Sequence, residues 1–551
     1  MSRFILILGY IIASLATFFA WSWHGRPQQV VDAPGGRIAC MSYSPHVHGY
    51  SPFDKKVIVP ADVMQRDLEH LKTYTDCIRT YATGQGQDAI PEIAAKLGMK
   101  VLMGIWISRD EEDNEEEIAR GIAAAKAHPQ AIRAIIVGNE VMLRGEQTDK
   151  ALALKAQRVK TATGLPVTIA DIWAFWLKHP DLAKSVDFIT IHILPYWEDD
   201  PQPITRLQPL LDDIVGRVTA VFPHIRFLIG ETGWPSMGRT RGWSVPSLIN
   251  QARFIREFVA LAAARGWDYN LIEAYDQPWK RHLEGTVGGA WGLLHPDGSP
   301  KFPFTGPVST NPNWMRDAFA SLALGSLGLL AFLVWPPRRL PMAARVGVFL
   351  PLLASIVIMG GEFVIAASVR PAHWAIWGFD LILTLVGAGL LLIMMAYERR
   401  TDVAPLASVL NWLQKPWQHQ VSAPLLLGFF QGIVIFMMGA LTLALSFDNR
   451  SRDIPLAVMV VPVLACCFMV RAYSNNHNTA WLRPEAWLGG FLIITGVLSV
   501  ASEEAGNMEA YLWALLVFLT AAPLWLRVRR TILSGAEPAE LSRLKHPVTR
   551  N

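Results

Sequence analysis

Charged residues are scarce in this chain. Asp, Glu, Lys and Arg make up 17% of its 551 residues, whereas 52% are hydrophobic, and the mean hydropathy is +0.26. Soluble domains carry about 25% charged residues, so the shortage argues against a chain that is water-soluble throughout and predicts that part of it lies in lipid. The formal net charge of +4 is small for this length and gives no indication of nucleic-acid binding.

Cysteine is also scarce, with four residues in all. Cys466 and Cys467 fall in an apolar segment, where free thiols buried in lipid are expected. Cys40 and Cys77 lie on the first two predicted strands of the N-terminal half. A disulfide between them is open if that half is extracytoplasmic, but buried free thiols are the favoured interpretation. The sequence also lacks His, Cys and carboxylate groups at metal-ligand spacing and a phosphate-binding glycine loop, so neither a metal nor a cofactor is expected.

Apolar segments long enough to cross a bilayer occur at the N-terminus and throughout the C-terminal half. Residues 4–23 form an uncharged run after Arg3, and bulky Trp21 and Trp23 stand where a signal cleavage site is expected, which favours an uncleaved anchor over a signal peptide. Seven further segments cover residues 314–335, 342–369, 373–397, 424–447, 455–473, 486–501 and 510–526. The sequence therefore predicts eight crossings.

Arginines flank these segments on alternate sides, and positive charge marks the cytoplasmic side of a membrane. The residues assigned to that side are Arg338, Arg339, Arg399, Arg400, Arg471, Arg483, Arg527, Arg529 and Arg530. This topology places both termini in the cytoplasm. It also places the long segment between the first and second crossings outside the cytoplasmic membrane.

That long segment has the composition of a globular domain, in which short apolar runs alternate with helical patterns. The eight runs are Arg37–Ser42, Asp76–Tyr81, Lys100–Ile107, Ile132–Gly138, Pro166–Ala170, Asp187–His192, Arg226–Gly230 and Tyr269–Ala274. The predicted helices include Asp88–Leu97, Ser244–Ala264 and Asn114–Ala127, the last with Asn114 and Glu117 as a capping box in a solvated acidic helix start. Eight repeats predict an α/β fold, the (β/α)₈ barrel, although no clear eighth helix follows.

The predicted organisation has five parts. They are an N-terminal transmembrane anchor (1–30), an extracytoplasmic barrel (35–305), a proline-rich linker (306–313), a seven-helix transmembrane domain (314–530) and a cytoplasmic tail (531–551).

Two glutamates directly follow predicted strands of the barrel. Glu140 comes after the apolar run 134–137, and Glu231 comes after the run 227–229. Parallel α/β barrels carry their chemistry at the C-terminal ends of the strands. Cleavage or transfer of a sugar bond needs two carboxyl groups, one to protonate the leaving oxygen and one to attack carbon or activate water. The pair therefore predicts a glycosidase-type enzyme.

Around these glutamates the sequence resembles glycoside hydrolase family 17, the β-1,3-glucan-active (β/α)₈ enzymes. The resemblance covers about Ile38 to Phe304. The matching stretches are Arg79-Thr80-Tyr81, Gly138-Asn139-Glu140-Val141, Pro195-Tyr196, Gly230-Glu231-Thr232-Gly233-Trp234-Pro235-Ser236 and the segment Gly292 to Pro300. Each stretch alone is weak evidence, but their order on successive predicted strands makes the combination specific.

The resemblance implies a retaining mechanism in which Glu140 is the general acid/base and Glu231 is the nucleophile. The two carboxyl groups are then expected about 5–5.5 Å apart. Glu140 is expected to stay protonated near neutral pH while Glu231 stays ionised, because close like charges push their pKa values apart. The resemblance also implies that Asn139 holds the sugar 2-hydroxyl and that the Tyr196 hydroxyl supports the nucleophile.

Further residues near the strand ends are expected to bind sugar. They are Arg79, Tyr81, Trp234, Asp276, Gln277, Trp279 and Lys280. Plant members of the family read Asn-Glu-Asn-Gln-Lys at 276–280, so Lys280 matches but Gln277 replaces a glutamate. That replacement puts the balance between water and sugar acceptors in doubt.

Tryptophans are frequent near the predicted strand ends, and indole faces suit stacking on pyranose rings. They are Trp106, Trp173, Trp197, Trp234, Trp243, Trp279 and Trp291. Packing in the core or in loops is the alternative for each of them. His192, at the end of the sixth predicted strand, is expected to be a hydrogen-bonded barrel residue.

The combination of anchor, barrel and membrane domain resembles bacterial inner-membrane proteins linked to cyclic β-1,3/1,6-glucan synthesis. It implies a multi-pass glucanosyltransferase on the periplasmic side that remodels or branches a glucan. The expected partners are β-1,3-glucan or its oligosaccharides, membrane lipid and a glucan synthase, with no nucleic acid. A membrane-bound endo-β-1,3-glucanase and a non-catalytic glucan-binding subunit remain as alternatives.

Two acidic residues, Glu362 and Asp380, stand out within the apolar segments. Charges in lipid are costly and mark either a function or a polar pair. One interpretation is a groove that passes glucan to the barrel. Interhelical polar contacts or an interfacial carboxylate are the favoured alternative.

Overall fold

The computed structural model describes residues 1–368, 371–397, 402–418, 420–448, 452–469 and 483–533. The chain divides into two compact units, one of residues 27–310 and the other of residues 1–26 with 311–551. The helices are α1 (Ser2–His24), α2 (Ala61–Leu71), α3 (Ile90–Leu97), α4 (Glu111–Ala127), α5 (Asp149–Thr163), α6 (Trp173–Lys178), α7 (Leu207–Val221), α8 (Leu248–Arg265), α9 (Arg281–Gly288), α10 (Trp314–Val334), α11 (Leu340–Ala367), α12 (Pro371–Tyr397), α13 (Leu406–Gln414), α14 (Ala423–Phe447), α15 (Leu456–Met469), α16 (Arg483–Ala501) and α17 (Met508–Leu533).

The unit of residues 27–310 is a barrel of eight parallel strands in sequence order. The strands are β1 (Met41–Ser42), β2 (Cys77–Arg79), β3 (Lys100–Ile105), β4 (Ile132–Asn139), β5 (Val167–Ile172), β6 (Ile189–His192), β7 (Phe227–Glu231) and β8 (Asp268–Tyr269). The barrel closes because Met41 pairs with Leu271, just after β8, and the Leu271 N–H donates to the Cys40 carbonyl. The predicted (β/α)₈ fold is confirmed.

Two details of the barrel helices differ from the sequence-based expectation. Helix α4 begins at Glu111, and Asp110 caps it by accepting two backbone N–H groups, so the predicted capping box at Asn114 and Glu117 is wrong. Glu117 is instead buried and accepts hydrogen bonds from the Thr83 hydroxyl and N–H. The eighth helix, which the sequence left unclear, is the short α9.

Cys40 and Cys77 form a disulfide, so the expectation of free thiols at these positions is wrong. Strands β1 and β2 are neighbours in the barrel, and their pairing brings the two Cα atoms to 4.5 Å, within the range that a disulfide needs. Sequence spacing does not reveal this register. Cys466 and Cys467 are free cysteines, as expected.

Removal of the Cys40–Cys77 disulfide is expected to lower the free energy of unfolding of the barrel by about 2–4 kcal/mol, because the bridge restricts the unfolded chain across 37 residues. The measurement compares thermal denaturation of the full chain with that of the Cys40→Ser/Cys77→Ser variant. The Cys466→Ser/Cys467→Ser variant is the matched control and is expected to respond to reductant as wild type does. Equal stability of wild type with and without reductant contradicts the prediction.

The other unit contains α1 and α10–α17. Seven of its described helices, α1, α10, α11, α12, α14, α16 and α17, are long and apolar enough to cross a membrane, as in a membrane protein. Helix α15 is apolar, and its described part has 14 residues, about 21 Å against a hydrocarbon core of about 30 Å. Seven of the eight predicted crossings therefore coincide with helices of sufficient length, and the predicted segment 455–473 extends beyond the described residues. The short α13 was not predicted.

Several predicted positions in this unit lie outside the described residues. They are Arg399, Arg400, Arg471 and residues 534–551 of the predicted cytoplasmic tail. Of the two acidic residues singled out in the apolar segments, Glu362 forms an ion pair with Arg316 at 3.0 Å. Asp380 is fully buried.

Candidate active site

The end of β4 turns sharply to present Glu140. Gly138 has φ +83° and Glu140 has φ +53°, and the pairing of β4 with β5 shifts register between Ile136 and Asn139. The Glu140 N–H is held by the Ala170 carbonyl at 2.8 Å. A left-handed glutamate is strained, and such conformations persist only where their surroundings fix them.

Two side chains fix this turn. Asp171, buried at the end of β5, accepts the Met142 N–H at 3.0 Å. Arg144 donates to the Asn139 carbonyl and, at 2.6 Å, to the Ile107 carbonyl. Desolvation raises the pKa of Asp171 to about 6. Sequence reasoning missed Asp171, although it directly follows a predicted strand, which is the signal that selected Glu140.

The end of β7 carries Glu231, which is 5% exposed. Gly230 before it permits close packing inside the barrel, since an added Cβ would lie 2.3 Å from Thr190 Cγ2 and 3.2 Å from Arg79 Nη1. The Arg79 guanidinium is also 3.3 Å from Glu231 Oε1. The nucleophile candidate is therefore held against a buried positive charge.

Arg79 connects the two glutamates. Its guanidinium donates to the Gly230 carbonyl at 2.6 Å, to Asn139 Oδ1 and, at 3.3 Å, to His192 Nε2. Arginine can only donate, so His192 Nε2 accepts, and its Nδ1 therefore carries the hydrogen that binds Glu140 Oε1 at 2.8 Å. Because Arg79 donates to Asn139 Oδ1, the Asn139 amide NH₂ points away from Arg79 and is able to donate to a sugar hydroxyl.

Glu140 and Glu231 approach each other closely at the mouth of the barrel. One carboxylate oxygen of each glutamate and one His192 ring nitrogen all lie within 4.8 Å of one another. Three such atoms are a possible metal-binding set. However, His192 Nδ1 bears a hydrogen when Nε2 accepts from Arg79, so it has no lone pair for a metal. The arrangement is instead that of two neighbouring carboxylates, of which Glu140 accepts a hydrogen bond from His192.

The pKa of Glu140 differs from the sequence-based expectation of a protonated acid near neutral pH. Burial raises this pKa, but the hydrogen bond from His192 and the positive charges of Arg79 and Arg144 outweigh burial and hold the pKa below the ordinary 4.5. The expectation is therefore corrected for the free protein, in which Glu140 is ionised at neutral pH. His192 was expected only to be a hydrogen-bonded barrel residue, and its position at a strand end was the available signal of a larger role.

The variant His192→Phe is expected to move the high-pH limb of kcat/KM toward higher pH. If Glu140 is the general acid, as the sequence predicts, it must be protonated, so kcat/KM falls as pH rises through its pKa. Loss of the His192 hydrogen bond removes one of the causes that lower this pKa, so the pKa of Glu140 rises. The measurement is the pH profile of kcat/KM, with His179→Phe, on the barrel surface, as the matched control. An unmoved limb contradicts the assignment of that limb to Glu140.

Several residues that were expected to bind sugar instead form contacts within the protein. Trp234 is 1% exposed, packs on Phe254 and donates its indole N–H to the Val245 carbonyl, so the expected cleft contact is wrong. Asp276 is buried and paired with Lys301 at 2.8 Å.

Tyr196 and Gln277 also bond inward. The Tyr196 hydroxyl donates to the Arg239 carbonyl at 2.7 Å, and since it has one hydrogen it cannot also donate to Glu231. The expected support of the nucleophile by this hydroxyl is therefore corrected. The Gln277 amide accepts from Trp279 Nε1 at 2.7 Å and donates to the Ser44 carbonyl at 3.2 Å. Gln277 holds a loop, in which Trp279 remains partly exposed.

Arg79, Tyr81 and Lys280 lie close to the carboxylate pair. Arg79 is 1% exposed, so it positions other residues and does not face the cleft. The Arg79 guanidinium carbon lies 4.8 Å from the centre of the Tyr81 ring. The Tyr81 hydroxyl donates to the Ser42 hydroxyl. Lys280 pairs at 2.8 Å with Glu273, and burial raises the pKa of Glu273 to about 7. Sequence reasoning missed this buried glutamate.

The tryptophans near the strand ends differ widely in exposure. Trp243 is 61% and Trp106 is 36% exposed, whereas Trp291 is buried and stacks on Trp197 at 6.5 Å. Trp173 is partly exposed and donates to Glu198. The indoles therefore divide between surface and core, as the two interpretations of these residues allowed.

A closed (β/α)₈ barrel with two carboxylates paired at the ends of β4 and β7 defines a glycosidase-type enzyme. A family model described as the BtgE/BtgC glycoside hydrolase domain matches residues 40–292. The glucan 1,3-beta-glucosidase of Arthroderma benhamiae is 30% identical over 269 residues, and the match covers 43% of this chain and 82% of that protein. The glucan 1,3-beta-glucosidase of Saccharomyces cerevisiae is 26% identical over 256 residues, covering 42% of this chain and 80% of that protein.

Among solved structures, the glycoside hydrolase family 17 β-1,3-glucanosyltransferase from Rhizomucor miehei is 26% identical and covers 48% of this chain and 95% of that one, with a TM-score of 0.42. The chain belongs to glycoside hydrolase family 17. The family membership expected from the sequence is thereby confirmed.

Proposed function

We propose that this protein is a membrane-anchored, retaining β-1,3-glucan glucanosyltransferase. The observation that carries the proposal is the approach of Glu140 and Glu231 oxygens to within 4.8 Å at the ends of β4 and β7. Retaining enzymes hold their carboxyl groups about 5–5.5 Å apart, whereas inverting enzymes need about 6.5–9.5 Å for an intervening water. The glucan 1,3-beta-glucosidase relatives support β-1,3-glucan as the substrate.

In the first step, a Glu231 oxygen attacks the anomeric carbon of the bound glucan. The bond from that carbon to the leaving sugar oxygen breaks, and protonated Glu140 gives its proton to this oxygen. The glucosyl group is then an ester of Glu231. Asn139 is placed to donate its amide N–H to the 2-hydroxyl, since its Oδ1 is occupied by Arg79.

In the second step, ionised Glu140 takes the proton of an acceptor hydroxyl, whose oxygen attacks the anomeric carbon and releases Glu231. A sugar hydroxyl as acceptor gives transfer, including β-1,6 branching if it is a 6-hydroxyl. Water as acceptor gives hydrolysis. A diffusible hydrolase does not need a membrane domain, so the seven long apolar helices favour transfer to a glucan made at the membrane.

The proposed site of action is the periplasmic side of a bacterial inner membrane. The Cys40–Cys77 disulfide supports this side, because disulfides persist in oxidising compartments and are rare in the cytosol. Arg338 and Arg339, between α10 and α11, support a cytoplasmic connection there. With both termini in the cytoplasm, the proposed topology has eight crossings, of which α15 lies in one.

The test is product analysis of the purified full chain incubated with a defined β-1,3-gluco-oligosaccharide. Products longer than the substrate, or carrying β-1,6 linkages, are expected, and Glu231→Gln is expected to make none. Only shorter products identify a hydrolase. Binding without turnover in wild type favours a non-catalytic glucan-binding subunit. Glu257→Gln, at a half-buried site on α8, is the matched control and is expected to retain activity.

A further inference from the structure

Helix α12 carries a buried acidic residue, Asp380. Asp380 has no exposed surface, and neither of its carboxylate oxygens has a hydrogen-bond partner among the residues that the structure describes. Glu485 on α16 is equally buried but accepts the Leu406 N–H at 2.8 Å and pairs with Arg527 at 3.4 Å. An uncompensated charge is strongly unfavourable in an apolar interior, so Asp380 rests as the neutral acid.

The groups around Asp380 do not compensate a charge. Helix α12 packs against α11 and α15. The titratable residues described on these two helices are Arg345, Glu362, Cys466 and Cys467, and none bonds to Asp380. Glu362 is already paired with Arg316. No described group of three or more His, Cys and carboxylate side chains includes Asp380, so the chemistry there suits a proton and not a divalent ion.

A polar bond joins α12 to α15 beside Asp380. Pro462 has no N–H, which frees the carbonyl of Val458 four residues before it in α15. Thr384, one turn after Asp380, places its hydroxyl 2.6 Å from that carbonyl and 2.9 Å from the Asp380 carbonyl. The Asp380 carboxyl therefore lies one turn from the hydroxyl that binds the free Val458 carbonyl of α15.

Unpartnered polar atoms also lie toward one end of α12. His373 precedes Asp380 by seven residues, two helical turns or about 10 Å along the same face. His373 is partly exposed, but its Nδ1 is buried and has no partner, as is true of Ser368 Oγ at the end of α11. These atoms can hydrogen-bond water between the helix end and Asp380.

We propose that Asp380 is a reversible proton-binding site in the membrane unit, loaded through water that enters past His373. In the neutral state the carboxyl is compatible with the apolar packing of α12 on α15. Loss of the proton leaves a charge without a counter-ion, which draws water into the contact and loosens α12 from α15. The membrane unit thus has two states, and the protonation of Asp380 determines which of them it adopts.

The test is labelling of the full chain in lipid nanodiscs with the apolar reagent dicyclohexylcarbodiimide, mapped by mass spectrometry. This reagent adds to neutral carboxyl groups in apolar surroundings. The acid proton moves to a carbodiimide nitrogen, the carboxyl oxygen bonds to the central carbon, and rearrangement leaves a stable N-acylurea with no atom lost. We expect a major adduct at Asp380 whose rate of formation falls as pH rises, and His373→Phe is expected to make this pH response slower.

Two variants make the outcome decisive. Asp380→Asn, which mimics the neutral acid in size, is expected to fold and to lose the adduct. Glu362→Gln, also on an apolar helix, is the matched control and is expected to keep it. No adduct at Asp380 in wild type overturns the proposal, as does a labelling rate that stays constant across the pH range, because a permanently neutral carboxyl is not a reversible site.

The inference rests on the proposed membrane embedding and is independent of the glucan chemistry. The labelling experiment contains no glucan, and Glu231→Gln is expected to label at Asp380 as wild type does. Failure of transglycosylation with intact labelling therefore overturns only the proposed activity. Failure of labelling with intact transglycosylation overturns only the proton site.

Discussion

Glu231→Gly is expected to lower kcat on a β-1,3-gluco-oligosaccharide by about 10⁵-fold or more, the scale seen when a covalent nucleophile is removed. This loss corresponds to about 7 kcal/mol of transition-state stabilisation. The variant loses the atom that attacks the anomeric carbon, while Arg79 keeps its bonds to the Gly230 carbonyl and Asn139. The measurement is steady-state kinetics with purified full-length protein.

Azide identifies the role that Glu231 plays. With the glutamate removed, azide fits the vacated space and attacks the anomeric carbon of an activated β-glucoside from the opposite face, so the expected product is the α-glucosyl azide. Glu257→Gln is expected to give wild-type kinetics and no azide product. A β-configured azide from Glu231→Gly, or more than about 1% of wild-type kcat, a loss far below that expected of a nucleophile, contradicts the assignment.

Glu140→Ala is expected to lower kcat/KM on the same oligosaccharide by about 10²–10⁴-fold, the usual contribution of a general acid. The loss is expected to be much smaller on an aryl β-glucoside with an acidic phenol, because that leaving group departs without a proton. The measurement is kcat/KM on both substrates. An equal loss on the two substrates argues that Glu140 acts through structure and not through proton transfer.

Azide again tests the second half of the reaction. It needs no general base, so it is expected to release the glucosyl group from Glu231 in Glu140→Ala and to give the β-glucosyl azide. The opposite configurations expected from the two variants assign the two glutamates independently. The matched control is Glu112→Gln in the first turn of α4, an exposed acidic position, where no change is expected.

The sequence was sufficient to predict the barrel, its family and the long apolar helices. These features depend on patterns within short stretches, namely an apolar run, a helical period, or a glutamate directly after a strand. Glu140 and Glu231 follow from that rule because the ends of parallel strands meet at one edge of a barrel. Asp171 obeys the same rule and was open to prediction.

Only the tertiary structure decided which side chains bond to one another. Arg79 and His192 are 113 residues apart, yet their contact fixes the tautomer of His192 and turns its N–H toward Glu140, which reverses the expected direction of the Glu140 pKa. Trp234 and Tyr196 have the residue types of a sugar cleft but are buried.

The pairing of Cys40 with Cys77 and the isolation of Asp380 have the same origin. The first depends on the register of two strands and the second on the neighbours that α12 acquires by packing. A sequence determines which groups are present and the local elements that carry them. Hydrogen bonds, pKa shifts and disulfides depend on distances of a few ångströms between elements remote in the chain, and packing alone sets those distances.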